Sequence, residues 1–372
     1  MTSDACDTPR RPRFRLPPDA YLSPEWFDAE RTAIFDRSWT LVATSSELAG
    51  PTDRRAVVVG NHPMLVVRDD GGLRAFHNIC RHRGMVLCDP ATDEPTASTV
   101  RCPYHGWEWD LDGTLVRVPQ RRSQFDGIST ADLGLHPGSV DEWEGMVFVH
   151  PEPDAPPLRD HLGALPDLIG SYRPGLLDQV ASLRIDVACN WKLFVENHID
   201  VYHLWYLHEQ SLGAYDHARF SHQQRDGVWA SYEPLRARSA ASDDDGRRGV
   251  TVIDHIDDRD RNGIGAHMVF PNLLIAATDQ VFATYAIHPV SATESWIDLR
   301  VRSEADADGP ELLEAVRSFI DEDVQACERV QAAMRSSRFS VGPLASDHER
   351  PIQDFHDRLV DRLGDLVPVG DA

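Results

Sequence analysis

The residues best suited to chemistry form two matching pairs: Cys80-Arg81-His82 and, after nineteen intervening residues, Cys102-Pro103-Tyr104-His105. Each pair offers one soft thiolate and one imidazole, and a hairpin-like segment between them brings both to a common metal centre. Structural zinc accepts two cysteines and two histidines, but its usual loops pair two cysteines closely and then two histidines. The repeated cysteine-then-histidine order fits a two-iron cluster, with Cys80 and Cys102 on one iron and His82 and His105 on the other. Replacing two thiolates by imidazoles lowers the negative ligand charge and raises the reduction potential, so such a centre accepts single electrons. Gly84 and Gly106 permit tight backbone approach, and the amides around them are expected to donate to cluster sulfides. Cys88 belongs to neither pair and reads as a nearby or buried thiol.

A second constellation lies in residues 190–208, NWKLFVENHIDVYHLWYLH, where apolar residues surround most of a helix. Such a helix is buried, and its polar residues must be paired or coordinated. Asn197, Asp200 and His203 follow at intervals of three, about 60 degrees per step, and form a slanted line on one side. His208 lies about 140 degrees from His203 on an ideal helix and joins it only at a helix end or a local distortion. Two histidines and one carboxylate suit a mononuclear ferrous centre that activates dioxygen. Histidines satisfied within a core are the alternative reading.

The carboxylate is sought in the later segment GPELLEAVRSFIDEDVQACERVQAAM, where Leu312, Val316, Ile320, Asp323, Cys327, Val330 and Met334 advance by three or four. Asp323 is the carboxylate on that stripe; Asp321 is about 200 degrees and Glu322 about 100 degrees away. A carboxylate facing a core needs a metal, a cation or hydrogen bonds, which makes Asp323 the candidate third ligand. A solvent-facing or salt-bridged aspartate on a differently phased helix is the alternative. Cys327 is expected to pack one turn away rather than to ligate.

These residues need elements to hold them. Residues 1 to about 18 read as an arm, and Pro24–Ser38 as a docking helix opened by serine, proline and glutamate. From Trp39 to His150 the pattern turns to short strands, AVVV, MLVV, LRAFHNI, STVRC, WEWDLDG, LVRV and GMVFVH, with DDGG and DLDG as hairpin connections. The proline-rich HPEPDAPPLRD marks a boundary. Beyond it come the strand and helix of SLRIDVACNWKLFVENHIDVYHLWYLH, further strands at VTVIDHI, HMVF, NLLIAAT, VFATYAIHPV and ESWIDLRV, an exposed loop at SAASDDDGRRG and a helix over about 310–335. The expected class is α+β: an antiparallel β domain over 46–150, preceded by arm and docking helix over 1–45, and a helix-flanked antiparallel sheet over 151–372.

At CRHRG and CPYHGWEWDLDG the chain resembles a Rieske [2Fe-2S] module. Together with NWKLFVENHIDVYHLWYLH and EDVQACERVQ it resembles the large catalytic (alpha) subunit of Rieske non-haem iron oxygenases over nearly its whole length. The gap between the two cluster pairs is rather longer than the family's common spacing. The resemblance implies a [2Fe-2S] cluster on Cys80, His82, Cys102 and His105, and mononuclear Fe(II) on His203, His208 and Asp323. It implies Asp200 as the carboxylate linking electron delivery to the catalytic iron. Asn197 is read as a support for the same region, with a hydrogen-bonding role within the helix as the alternative. The resemblance also implies a homotrimer in which the cluster of one subunit serves the iron of its neighbour.

The C-terminal stretch GPLASDHERPIQDFH looks closer to the glycine-betaine and carnitine oxygenase branch. That points to hydroxylation or N-demethylation of a methylated or quaternary amine, with an aromatic ring or aromatic acid as the alternative substrate. Trp205, Tyr206, Trp229, Phe270, Phe282 and Tyr285 are available for a cation-attracting wall. A non-enzymatic Rieske electron carrier is the reading from a different class.

No Walker-type phosphate loop or dinucleotide-binding glycine fingerprint is visible, so NAD(P)H is expected to act only through a separate flavin or iron–sulfur reductase or ferredoxin. With 37 lysines and arginines against 60 aspartates and glutamates, the formal charge of −23 argues against nucleic-acid binding. The opening segment has no signal-peptide core, no apolar run is long enough to span a bilayer, and the six cysteines do not make a disulfide scaffold over 372 residues. A soluble, cytoplasmic protein is expected.

Overall fold

The computed structural model describes residues 12–89, 97–236 and 251–366. The SAASDDDGRRG loop lies outside the described residues. The docking helix, α1 (Pro24–Ala33), starts where Ser23 accepts hydrogen bonds from the Glu25 and Trp26 amides, and Pro24 supplies its first residue. It ends at Ala33, and a 3-10 turn over Phe35–Arg37 completes the expected span.

Nine strands follow: β1 (Thr40–Thr44), β2 (Arg54–Val59), β3 (His62–Asp69), β4 (Gly72–His77), β5 (Thr99–Arg101), β6 (Glu108–Asp110), β7 (Leu115–Arg117), β8 (Pro137–Trp143) and β9 (Met146–His150). They make a six-stranded sheet in the order β1-β9-β8-β4-β3-β2 and a small sheet β5-β6-β7. Strand β1 pairs antiparallel with β9, so residues 40–44 belong to this sheet rather than to the arm before it. The expected hairpins form: Asp69 Oδ1 accepts the Gly71 amide, and Asp112 Oδ1 accepts the Thr114 amide. Gly113 is obligatory in the second turn, with φ +85° and a Cβ that would come within 2.6 Å of the Phe76 ring.

The apolar run in β3 is buried on both faces. Met64 and Val66 join one core with Val42, Val147 and Val149, while Leu65 and Val67 join another with Phe76, Trp107 and Trp109.

The second sheet has seven antiparallel strands, β10 (Asp178–Val187), β11 (Ser221–Arg225), β12 (Val228–Pro234), β13 (Gly263–Val269), β14 (Leu273–Ala277), β15 (Phe282–Ser291) and β16 (Glu294–Ser303), ordered β10-β16-β15-β14-β13-β12-β11. VTVIDHI is not a strand: its described part, 251–256, is irregular chain that still buries Ile253 and Ile256. One face of the sheet, including Trp229, Met268, Leu274, Tyr285 and Leu299, packs under helices α2 (Trp191–Ile199) and α4 (Gly309–Met334). The other face, including Val269, Ile275 and Phe282, packs against Trp39, Leu41 and Phe148 of the first domain.

The final helix, α5 (Arg350–Leu363), buries Ile352, Phe355, Leu359 and Leu363 at intervals of three and four. A buried pair ties α1 to α2: Lys192 Nζ lies 2.5 Å from Glu30 Oε1, and the Trp191 indole donates to Glu30 Oε2. Among the described residues no helix is long and apolar enough to cross a membrane.

Candidate metal centres

The two loops of the first domain are built alike. The Cys80 amide bonds to the Met85 carbonyl and the Gly84 amide to the Cys80 carbonyl; the Cys102 amide bonds to the Trp107 carbonyl and the Gly106 amide to the Cys102 carbonyl. Both glycines are left-handed, at φ +72° and +73°, a conformation that closes each loop and that side chains disfavour. Cys80 and Cys102 are buried, whereas His82 and His105 are half-buried, with ring centroids 4.7 Å apart.

His82 is held flat on Trp107 at 4.9 Å, and its Nδ1 is buried without a hydrogen-bond partner. Burial, with the neighbouring Cys102 thiol, pushes the Cys80 thiol up, and burial pulls the His82 imidazole down. Two buried thiols and two half-buried imidazoles beside one another, with an orphaned ring nitrogen, fit a metal cluster. Cys88 packs in the same core as Cys80 and Cys102.

In the second domain the expected continuous helix over 190–208 is broken. Asn190 caps α2 by accepting the Lys192 amide, and α2 ends at Ile199, because Asp200 turns extended at φ −84° and ψ 114°. Asn197, Asp200 and His203 therefore do not share one helical line. Asp200 Oδ1 accepts the Tyr202 amide at 2.6 Å, turning the chain into the four-residue helix α3 (Leu204–Leu207), which His203 and His208 flank. This break removes the 140-degree obstacle and lets both imidazoles face α4.

Asp323 lies on the buried stripe of α4 as its period predicts, although Gln331 replaces the exposed Val330 in that stripe. Cys327 packs one turn on, its thiol donating to the Leu193 carbonyl.

The three ligand atoms converge. His208 Nε2 lies 3.1 Å from His203 Nε2 and 2.9 Å from Asp323 Oδ1, and His203 Nε2 lies 3.6 Å from Asp323 Oδ1. Adjacent ligands at bonds of ~2.1 Å and right angles stand ~3.0 Å apart, so the spacing fits a metal held on one face with other positions open. Among the described residues these three are the group of metal-binding type brought within ligating reach of one another.

Asp200 Oδ2 sits 3.3 Å from His203 Nδ1, close enough for an ion pair but not aligned as a hydrogen bond. Asn197 is half-buried in the last turn of α2, and its carbonyl accepts the Asp200 amide.

Two contributors are invisible to the helical period. Glu322, about 100 degrees off the stripe, reaches back so that its Oε2 lies 2.7 Å from His208 Nδ1 and accepts the Ser211 hydroxyl at 2.6 Å. Burial pulls the His208 imidazole down, but the Asp323 and Glu322 carboxylates outweigh it and raise the pKa. His198 sits on the iron side of α2, between Trp229 and Tyr285 at 6.2 Å from each ring. Of the six aromatics available for a wall, these two are beside it. Trp205 and Tyr206 are exposed, Phe282 lies on the far face of the sheet with Tyr172, and Phe270 packs on Phe355 under Arg358.

A thiol–imidazole cluster cradle on one antiparallel domain, joined to a two-histidine, one-carboxylate site between a sheet and its helices, defines an oxygenase of the Rieske type. Residues 38–135 match the Rieske [2Fe-2S] domain and residues 175–365 the ring hydroxylating alpha subunit (catalytic domain), and the chain belongs to that family.

It is 27% identical to the glycine betaine monooxygenase oxygenase subunit of Chromohalobacter salexigens over 94% of this chain and 85% of that protein. It is 33% identical to the biphenyl 2,3-dioxygenase alpha subunit of Rhodococcus jostii, over 51% of this chain and 42% of that one. Its fold matches the quaternary ammonium Rieske monooxygenase CntA in complex with L-carnitine at a TM-score of 0.79, with 22% identity and coverage of 95% and 96%. The chain is thus a Rieske non-haem iron oxygenase component, with a [2Fe-2S] cluster, a mononuclear iron and electrons drawn from NAD(P)H through a separate reductase.

Proposed function

We propose that this oxygenase oxidises an N-methyl group, or the C–H bond beside the nitrogen, of a small methylated or quaternary amine, with demethylation as the outcome when the N-methyl carbon is attacked. The observation that carries the substrate reading is the likeness to a glycine betaine monooxygenase oxygenase subunit along 94% of the chain. When bound, the cluster supplies single electrons and the mononuclear iron supplies dioxygen activation.

Cys80, Cys102, His82 and His105 hold the cluster, with the two half-buried imidazoles on the outward side. His203, His208 and Asp323 hold the iron. Asp200 orients His203 and offers the short route by which charge arrives, and Asn197 supports the turn that places Asp200. Glu322 orients the His208 ring through its second nitrogen, as carboxylates commonly do for metal-bound imidazoles.

The working form is a homotrimer. Met85, Val86 and Tyr104 are exposed around the cluster loops, and Tyr202 and Tyr206 are exposed beside the iron triad. Two different apolar patches suit head-to-tail contacts that close into a ring, with one subunit's cluster set against the next subunit's Asp200. None of the five described cysteines forms a disulfide, in keeping with a reducing cytoplasm.

The test supplies iron-loaded protein and a compatible reductase with methylated amines and aromatic acids under labelled dioxygen, and identifies products by mass. Formaldehyde or a hydroxylated amine is the expected product. A vicinal diol from an aromatic substrate overturns the amine reading in favour of arene oxidation, the alternative favoured by the likeness to biphenyl dioxygenase.

A further inference from the structure

Two side chains on the sheet face below α2 pack in the core but leave their polar atoms unpaired. Trp229 Nε1 and Tyr285 Oη are both buried and without hydrogen-bond partners, although their residues are only 3% and 2% exposed. Buried donors of this kind are rare, because each forfeits its hydrogen bonds to water. Trp229 on β12 and Tyr285 on β15 lie on one row, linked across the sheet by the pairs Trp229–Met268, Met268–Leu274 and Leu274–Tyr285. Both ring centroids lie 6.2 Å from that of His198.

That histidine is half-buried, and burial lowers its pKa to about 4. Its Nε2 is 3.0 Å from the His267 carbonyl, so the neutral ring donates there. His198 lies in the last turn of α2, two residues before Asp200 and five before His203, so the group borders the turn that places the two candidate iron-binding imidazoles. Burial and Asp323 together push the Tyr285 hydroxyl up, so it stays protonated and acts as a donor.

We infer that Trp229 and Tyr285 are the anchoring subsite for substrate: the indole N–H and phenol O–H donate to a carboxylate or carbonyl oxygen of the molecule whose other end is presented to His203, His208 and Asp323. This rests on the oxygenase reading but not on the substrate being an amine. The positive ends of two N–H and O–H dipoles disfavour a bare cation and favour an oxygen acceptor. A site built to hydrogen-bond a substrate rejects an analogue lacking the acceptor, because its donors are then left unpaired.

Tyr285→Phe deletes only the orphaned oxygen and therefore leaves the melting temperature at or above that of the parent. Binding to the purified full chain is measured by calorimetry with two matched pairs of probes, trimethylglycine against tetramethylammonium and benzoate against toluene. In the parent, the carboxylated member of at least one pair binds more tightly. Tyr285→Phe and Trp229→Phe each reduce that advantage by roughly five- to tenfold, as loss of one hydrogen bond to an oxygen acceptor would, and leave the partner probe unchanged.

Equal binding within both pairs, or an advantage that survives both variants, overturns the subsite. An advantage seen only in the benzoate pair, and lost in the variants, upholds the subsite while removing the amine reading.

Discussion

In the first domain the four proposed cluster ligands sit on two loops of one design within residues 80–105, each closed by a left-handed glycine and each donating its cysteine amide to a carbonyl five residues on. In the second domain the three proposed iron ligands come from a helix break and from a helix more than a hundred residues later, and each is oriented differently: His203 beside Asp200, His208 by Glu322 and Ser211, and Asp323 by its place on α4. The first centre is a local motif that any suitable β scaffold can carry. The second exists only when α2, α3, α4 and the sheet are packed, so its ligands depend on tertiary structure and on supporting carboxylates.

Four expectations sharpen that contrast. Cys102→Ser abolishes the cluster's visible absorption and all reductase-coupled oxygen uptake, while the second domain keeps its single iron; loss of both metals would contradict the independence of the two centres. Asp200→Asn keeps both centres but slows oxidation of the reduced cluster in a single turnover by about 100-fold, the upper range for loss of a supporting carboxylate. An unchanged rate removes Asp200 from the electron route.

Glu322→Gln retains the ring contact but not its charge. It lowers Fe(II) affinity about tenfold in a chelator competition without altering the cluster spectrum; a cluster shift would place its effect elsewhere.

The fourth effect concerns the sheet rather than either centre. Burial lowers the pKa of His267 to about 4 and of His288 to about 3. Their folded values lie below the unfolded ones, so the unfolded chain binds more protons as the pH falls from about 6.5, and stability is lost over that window. Each costs on the order of 2 kcal/mol by pH 5, read as a falling melting temperature. His267→Gln flattens that slope by the share of one group; an unaltered slope contradicts the assignment.

The same contrast explains what the sequence made legible. Cys80, His82, Cys102 and His105 are readable because loop, glycine and ligand lie within a few residues. Asp323 is readable because a carboxylate on an apolar stripe is conspicuous, and that stripe is buried as expected apart from Val330. His208 resisted because helix periodicity carries no signal for the break at Asp200, which depends on an aspartate capping the next turn through the Tyr202 amide.

Glu322 was hidden for a different reason. A long side chain can reach a ligand from a position off the buried stripe, and only packing says whether it does. Strand β1 was missed because its residues, TLVAT, are buried at every position and show no alternation. Helix α5 did carry a period, at Ile352, Phe355, Leu359 and Leu363.

The central claim is that one chain houses two iron environments with separate supports. Iron counting combined with electron paramagnetic resonance tests it on reconstituted parent protein and on His208→Ala. The parent should hold roughly three irons per chain, two of them in the cluster, and the variant roughly two with the reduced-cluster signal intact. A parent that saturates at two irons, or a variant that keeps the third, would contradict the account.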